Sequence, residues 1–117
     1  MAAPNIVNVS TITGKTAVQA VGTSATAIVT NSASSGKVFK VNMIMISNVD
    51  GTNNADITVD VYRSSTAYHL TKGFTVVADD SLDLLTKPLY LEEGDSLRLT
   101  ASAASDLEAV VSYEEIS

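Results

Sequence analysis

Apolar and polar side chains take turns along most of this chain, and the period is two. Ala55–Tyr62 sets Ile57, Val59 and Val61 on one side and Asp56, Thr58 and Asp60 on the other. Ser96–Ala101 repeats the pattern with Leu97 and Leu99. Leu107–Tyr113 keeps it too, except that Val110 is an apolar residue on the polar side. A pleated strand sends successive side chains to opposite faces, so this alternation predicts antiparallel strands with one face on a core. Weaker strands are expected around Thr16–Val21 and Ala25–Thr30.

Lys37–Ser47 departs from the rule. Simple alternation puts Phe39, Val41, Met43 and Met45 on one face, and Lys40, Asn42, Ile44 and Ile46 on the other. A strand that ends apolar on both sides should be covered on both sides there, by a loop or by a neighbouring subunit. Ile44 and Ile46 are therefore candidate assembly contacts on a central strand. Asp79–Leu85 reads as a strand or a single helical turn before Pro88, since Leu82 and Leu84 alternate with Ser81 and Asp83.

Turn residues separate these runs. Asp50-Gly51 with Thr52, Asn53 and Asn54 predicts a long hairpin from the central strand to the next. Glu92–Ser96 predicts a second hairpin, with Gly94 free to take a positive φ. About eight short strands in 117 residues predict one all-β domain, an antiparallel β-sandwich of jelly-roll-like or immunoglobulin-like form over residues 11–117. Residues 1–10 precede it as an extended arm or a first strand.

Composition sharpens the picture. The chain has no Trp, two Phe and four Tyr, so a thin core of Ala, Val, Ile and Leu is expected, supported by burial against neighbours. There is no Cys, which suits a reducing compartment. The opening residues carry no basic-then-apolar signal pattern, and no run is long enough to span a bilayer, so synthesis in the cytoplasm and no membrane partner are expected. Lys15, Lys37 and Lys40 are the only charged residues before Asp50, whereas all 13 acidic residues lie from Asp50 onward. That asymmetry could orient neighbouring copies, or simply reflect a Ser/Thr-rich segment without carboxylates. Phosphate binding needs clustered Lys and Arg, so nucleic acid is not an expected partner.

Candidate chemistry is sparse. His69 is the single histidine, and nothing resembles a nucleophile elbow around any Ser. Asp50–Asp56 carries oxygens at a spacing calcium could use, yet its Gly51 is not where a calcium loop needs one, and solvated turn residues explain the same letters. Gly14-Lys15-Thr16 echoes the end of a phosphate loop without its preceding glycine. No enzymatic activity, cofactor, metal or small-molecule substrate is expected. A carbohydrate-binding module would need a row of exposed aromatics, for which Tyr62, Tyr68 and Tyr90 are the candidates.

The termini suggest contacts. Pro4 blocks helix entry, and Ile6, Val7 and Val9 favour extended chain, so Pro4–Ser10 could add to a neighbour's sheet edge or form the first strand of its own. Ile116 follows the last strand as a core plug or an exposed contact.

Three segments together carry a family resemblance: Ile46–Thr52 with Val59–Tyr62, Leu89–Leu97, and Val110–Glu115. The set resembles small virion structural proteins of tailed phages, especially those infecting marine cyanobacteria, over Asn5–Ser117. The resemblance implies a non-enzymatic protein present in many copies on the particle. It implies most specifically a capsid decoration, or cement, protein bound to the major capsid protein shell and to its own copies as a trimer. Its implied location is the capsid surface of the virion. A tail, neck or fibre component would share the fold. No site residues of that family map onto this chain.

Overall fold

The structure is a computed structural model and describes residues 4–117. Alternation becomes strand where it was expected: β1 (Ile12–Ala20), β2 (Thr26–Thr30), β3 (Val38–Asn48), β4 (Ala55–Arg63), β5 (Thr66–Val76), β6 (Ser81–Asp83), β7 (Leu89–Leu91), β8 (Ser96–Ala101) and β9 (Leu107–Ile116). They form two antiparallel sheets. One runs β1-β9-β3-β6, with β7 also pairing β3, and the other runs β2-β8-β4-β5. The protein is thus an all-β sandwich, and no helix occurs among the described residues.

The core lies between the sheets. Ile57, Val59, Leu97 and Leu99 project from one sheet and Val41, Ile44, Ile46, Leu91 and Val111 from the other, all fully buried. Phe39 is the one buried phenylalanine, its ring 5.6 Å from that of Tyr113, while Phe74 stays exposed. The core is accordingly thin and aliphatic, as the composition implied.

Strand β3 corrects the reading of the faces. Its register against β9 shifts between Val41, opposite Tyr113, and Met43, opposite Ser112, so Asn42 is an extra residue in a β-bulge. A bulge inserts one residue and reverses the alternation beyond it. Ile44 and Ile46 therefore join Phe39 and Val41 inside, at 0% exposure, and are not assembly contacts. Met43 and Met45 turn outward, half-buried.

Two expected hairpins are crossovers. β3 and β4 lie in different sheets, and so do β7 and β8, so the Asp50–Asn54 and Glu92–Asp95 turns carry the chain from one sheet to the other. Gly94 does take a positive φ, 88°. An in-sheet hairpin is β4–β5, through Ser64 (φ 52°) and Ser65 (φ 61°). Without Gly or Asn there, the sequence carries little turn signal for the hairpin that leads into β5.

Two buried asparagines fasten the connections. Asn31 donates from Nδ2 to the Lys37 and Leu91 carbonyls, at 2.9 and 3.0 Å. Asn48 donates to the Asn53 and Val76 carbonyls, at 3.0 and 2.9 Å, and its Oδ1 accepts from Asp50 N–H. Each side chain does for a loop what a ladder does for a strand, satisfying backbone groups that water cannot reach.

The bulge makes a prediction opposite to simple alternation. Ile44→Ala should cost about 2–5 kcal/mol and Met45→Ala no more than about 1 kcal/mol, measured by urea denaturation. Equal losses would mean that β3 keeps strict alternation past Asn42.

Candidate assembly surfaces

Over its described part the predicted arm is not a strand. Its first three residues lie outside the described residues, and from Pro4 to Thr11 neither sheet gains a member. Asn5 instead closes a turn, its Oδ1 accepting from Val7 N–H at 3.0 Å and its carbonyl from Asn8 N–H at 3.0 Å. Ile6 and Val7 project into solvent at 50% and 83% exposure, with Pro4 and Val9 half-buried. The segment then joins β9: Ser10 and Thr11 N–H both donate to the Ser117 carbonyl. Ile116 is 4% exposed, so it is no open contact; it lies opposite Ile12 and Val38, apart from the main core cluster. Of the assembly contacts expected from sequence, Ile6 and Val7 are the exposed ones.

Several charges are paired within the molecule. Glu115 accepts from Lys15 at 2.9 Å and Lys37 at 3.2 Å, so the basic early segment meets the acidic late one inside a single copy. Hydrogen bonding from Lys15 chiefly holds the Glu115 carboxyl below the usual carboxylate range, against the effect of burial. Arg98 reaches Asp60 at 2.9 Å and lies 3.9 Å over the Tyr62 ring, which removes Tyr62 from any exposed aromatic row. His69 stands exposed on β5, in register with that same Asp60.

Arg63, Asp95 and Glu92 tie the β4 end to the β7–β8 turn. The Arg63 Nε and Nη2 atoms donate to both Asp95 oxygens at 2.7 and 2.6 Å, and Nη2 also reaches Glu92 at 3.0 Å. Burial works against the Asp95 carboxylate, whose side chain is 1% exposed. The bonds from Arg63 and from Glu92 N–H outweigh it, so the pKa is lowered, while that of Arg63 is raised.

The carboxylates considered for calcium are committed elsewhere. Asp50 accepts from the N–H groups of Thr52 and Asn53, at 2.8 and 3.1 Å, and these bonds lower its pKa. Burial and the neighbouring Asp50 raise that of Asp106. Among the described residues no three acidic or histidine side chains gather as a metal site.

Strand pairing assembles two further surfaces. On the outer face of the β1-β9-β3-β6 sheet, Val18 pairs in register with Val110, and Val110 with Met45, an apolar row across three strands. Val18 is 73% exposed. The break in alternation at Val110 was its one trace in sequence. Beside β5, a hollow of about 340 Å³ is lined by Val61, Arg63, Tyr68, Leu89 and Tyr90, which brings together tyrosines from opposite sheets.

No family model and no curated protein matches the sequence. Among solved structures, the chain is similar to one described as "Bacillus endospore appendages form a novel family of disulfide-linked pili", at 12% identity. The match covers 99% of this chain and 96% of that one, with a TM-score of 0.53. A likeness at that identity establishes the sandwich fold.

The Arg63–Asp95 pair makes a pH-dependent prediction. Arg63→Met should cost about 2 kcal/mol at pH 7, because it leaves a buried carboxylate unpaired. The depressed Asp95 pKa contributes stability that is present above the ordinary carboxylate range and is lost as pH falls through the folded value. The deficit of Arg63→Met should therefore shrink in acid, as read from denaturant midpoints at pH 7 and near pH 3. A deficit independent of pH would show that packing, not charge, holds this corner.

Proposed function

We propose that this chain is a non-enzymatic structural protein of a tailed-phage virion. Within the particle it is a capsid decoration protein, seated on the major capsid protein shell at the virion surface beside copies of itself. The observation that carries this reading is the Val18–Val110–Met45 row, an outward, uncharged ridge on a rigid sheet whose neighbours in register are Thr16, Ser112 and Met43. Interfaces of structural assemblies concentrate apolar side chains at the centre of such a patch and leave charge to the rim. Here Glu108 and Asp83 stand at the rim. The strand order, read as a jelly roll, is an architecture that capsid proteins use. The resemblance of Ile46–Tyr62, Leu89–Leu97 and Val110–Glu115 to small virion proteins adds to it. Assembly by disulfides, named for the pilus protein, is closed to a chain without cysteine.

Purified chain added to capsids lacking it should bind to saturation. Met45→Glu should weaken that binding by about tenfold or more, since it buries a charge at the centre of the contact. Cryo-EM of the decorated particle should show the β1-β9-β3-β6 sheet toward the shell. A particle with this chain only at the tail, or at the low copy number of a neck or fibre part, would replace decoration by that role.

The hollow beside β5 supports a second reading, a carbohydrate-binding module. Tyr68 is 60% and Tyr90 41% exposed there, and lectin domains also use jelly rolls. A glycan array should then give binding that Tyr68→Ala abolishes. An array without a hit closes this reading.

A further inference from the structure

We propose that two copies of this chain pair through β1, antiparallel about a two-fold axis at Thr16, to make one continuous sheet across the dimer. A sandwich exposes the edges of its sheets, and proteins protect such edges by shortness, bulges or lysine. The other edges here are protected. β6 and β7 are each three residues long, and β2 is five residues with a register shift. β5 is kinked by two register shifts against β4 and by Gly73 at φ 69°, and carries Lys72. β1 is neither short nor bulged, and its one lysine, Lys15, is tied to Glu115 of its own copy. Its nine residues run in unbroken register with β9, from Ile12 opposite Ile116 to Ala20 opposite Glu108.

The hydrogen bonds at its ends show which groups are free. Thr11 and Ser117 exchange both backbone bonds, and Val21 N–H donates to the Leu107 carbonyl at 2.9 Å. In an antiparallel ladder the bonded residues alternate, so the odd-numbered residues of β1 bond to β9. The N–H and C=O groups of Ile12, Gly14, Thr16, Val18 and Ala20 point away from it, and among the described residues none has a backbone partner outside the strand.

The register that overlaps the whole strand on its own antiparallel copy puts Ile12 opposite Ala20, Gly14 opposite Val18 and Thr16 opposite Thr16. Those are the same residues whose backbone groups are free. The side chains agree as well. Val18, 73% exposed, falls beside Gly14 of the second copy, where a Cβ would meet no heavy atom within 4 Å. Threonines directly opposite each other are a favourable cross-strand pair. On the inner face Lys15 meets Ala17, a small neighbour for a lysine already held by Glu115. Thr13 meets Gln19, whose carboxamide nitrogen donates to the Ala27 carbonyl at 3.2 Å and whose oxygen is buried with no partner.

A two-fold contact of this kind closes at two copies, whereas the trimer expected from the family resemblance needs a different, head-to-tail contact. The pairing requires no capsid, and it leaves Met45 outside the contact, so its failure and failure of shell binding are read separately.

The experiment is analytical ultracentrifugation and hydrogen–deuterium exchange on the free chain, with Thr16→Pro and Val18→Lys. Proline at Thr16 removes an N–H that faces the free edge, a position sheets tolerate. Val18→Lys alters a side chain already in solvent, and so answers even if the proline disturbs folding. The unmodified chain should sediment as a dimer with slowed exchange across Ile12–Ala20. Both variants should raise the dissociation constant by about tenfold or more and release that protection, while β9 stays protected. A chain that is monomeric at millimolar concentration, a trimeric mass, or a dimer whose β1 amides exchange freely would each overturn the proposal.

Discussion

The inward projection of Ile44 and Ile46 past the bulge at Asn42 is the constraint on which the rest of this sandwich depends. The domain has one buried phenylalanine and no tryptophan, so its cohesion comes from a layer of aliphatic side chains. β3 supplies that layer from both of its halves, Phe39 and Val41 before the bulge and Ile44 and Ile46 after it. Strict alternation would have put two methionines inside and two isoleucines in water. Met43 and Met45 go outward instead, which is also how the outer face acquires its apolar row.

The same economy governs polar groups. Asn31 and Asn48 are both buried, and each uses its side-chain amide to satisfy one carbonyl in a loop and one at a strand end. Arg63 performs a related task at the β7–β8 turn, where Asp95 is buried but doubly hydrogen-bonded to the guanidinium. Lys15, Lys37 and Glu115 join the basic early part of the chain to its acidic end. Such charges contribute modestly to stability, but they are consumed inside the copy and so are not free to steer neighbours.

What remains outside is therefore unevenly distributed. One sheet face carries Val18, Val110 and Met45 with few charges, one strand edge is regular and open, and one hollow gathers two tyrosines beside an arginine. An isolated monomer has no need of the first two. The proposed packing against a shell and against a second copy would use both, and the face and the edge belong to the same sheet.

Alternation by itself determined the all-β class and the inward set on β4, β8 and β9, and the Glu92–Ser96 turn residues determined the positive φ at Gly94, because these are local properties of the backbone. It could not place Asn42 in a bulge, since a bulge exists only relative to the partner strand β9. For that reason Ile44 and Ile46 read as contacts and proved to be core. Nor could turn residues say whether Asp50–Asn54 or Glu92–Asp95 folds back in one sheet or crosses to the other, because both paths need the same flexible backbone. β5 stayed hidden behind Ser64-Ser65, a tight turn built without glycine. Pairing between distant strands decided those questions, and with them which apolar side chains meet water.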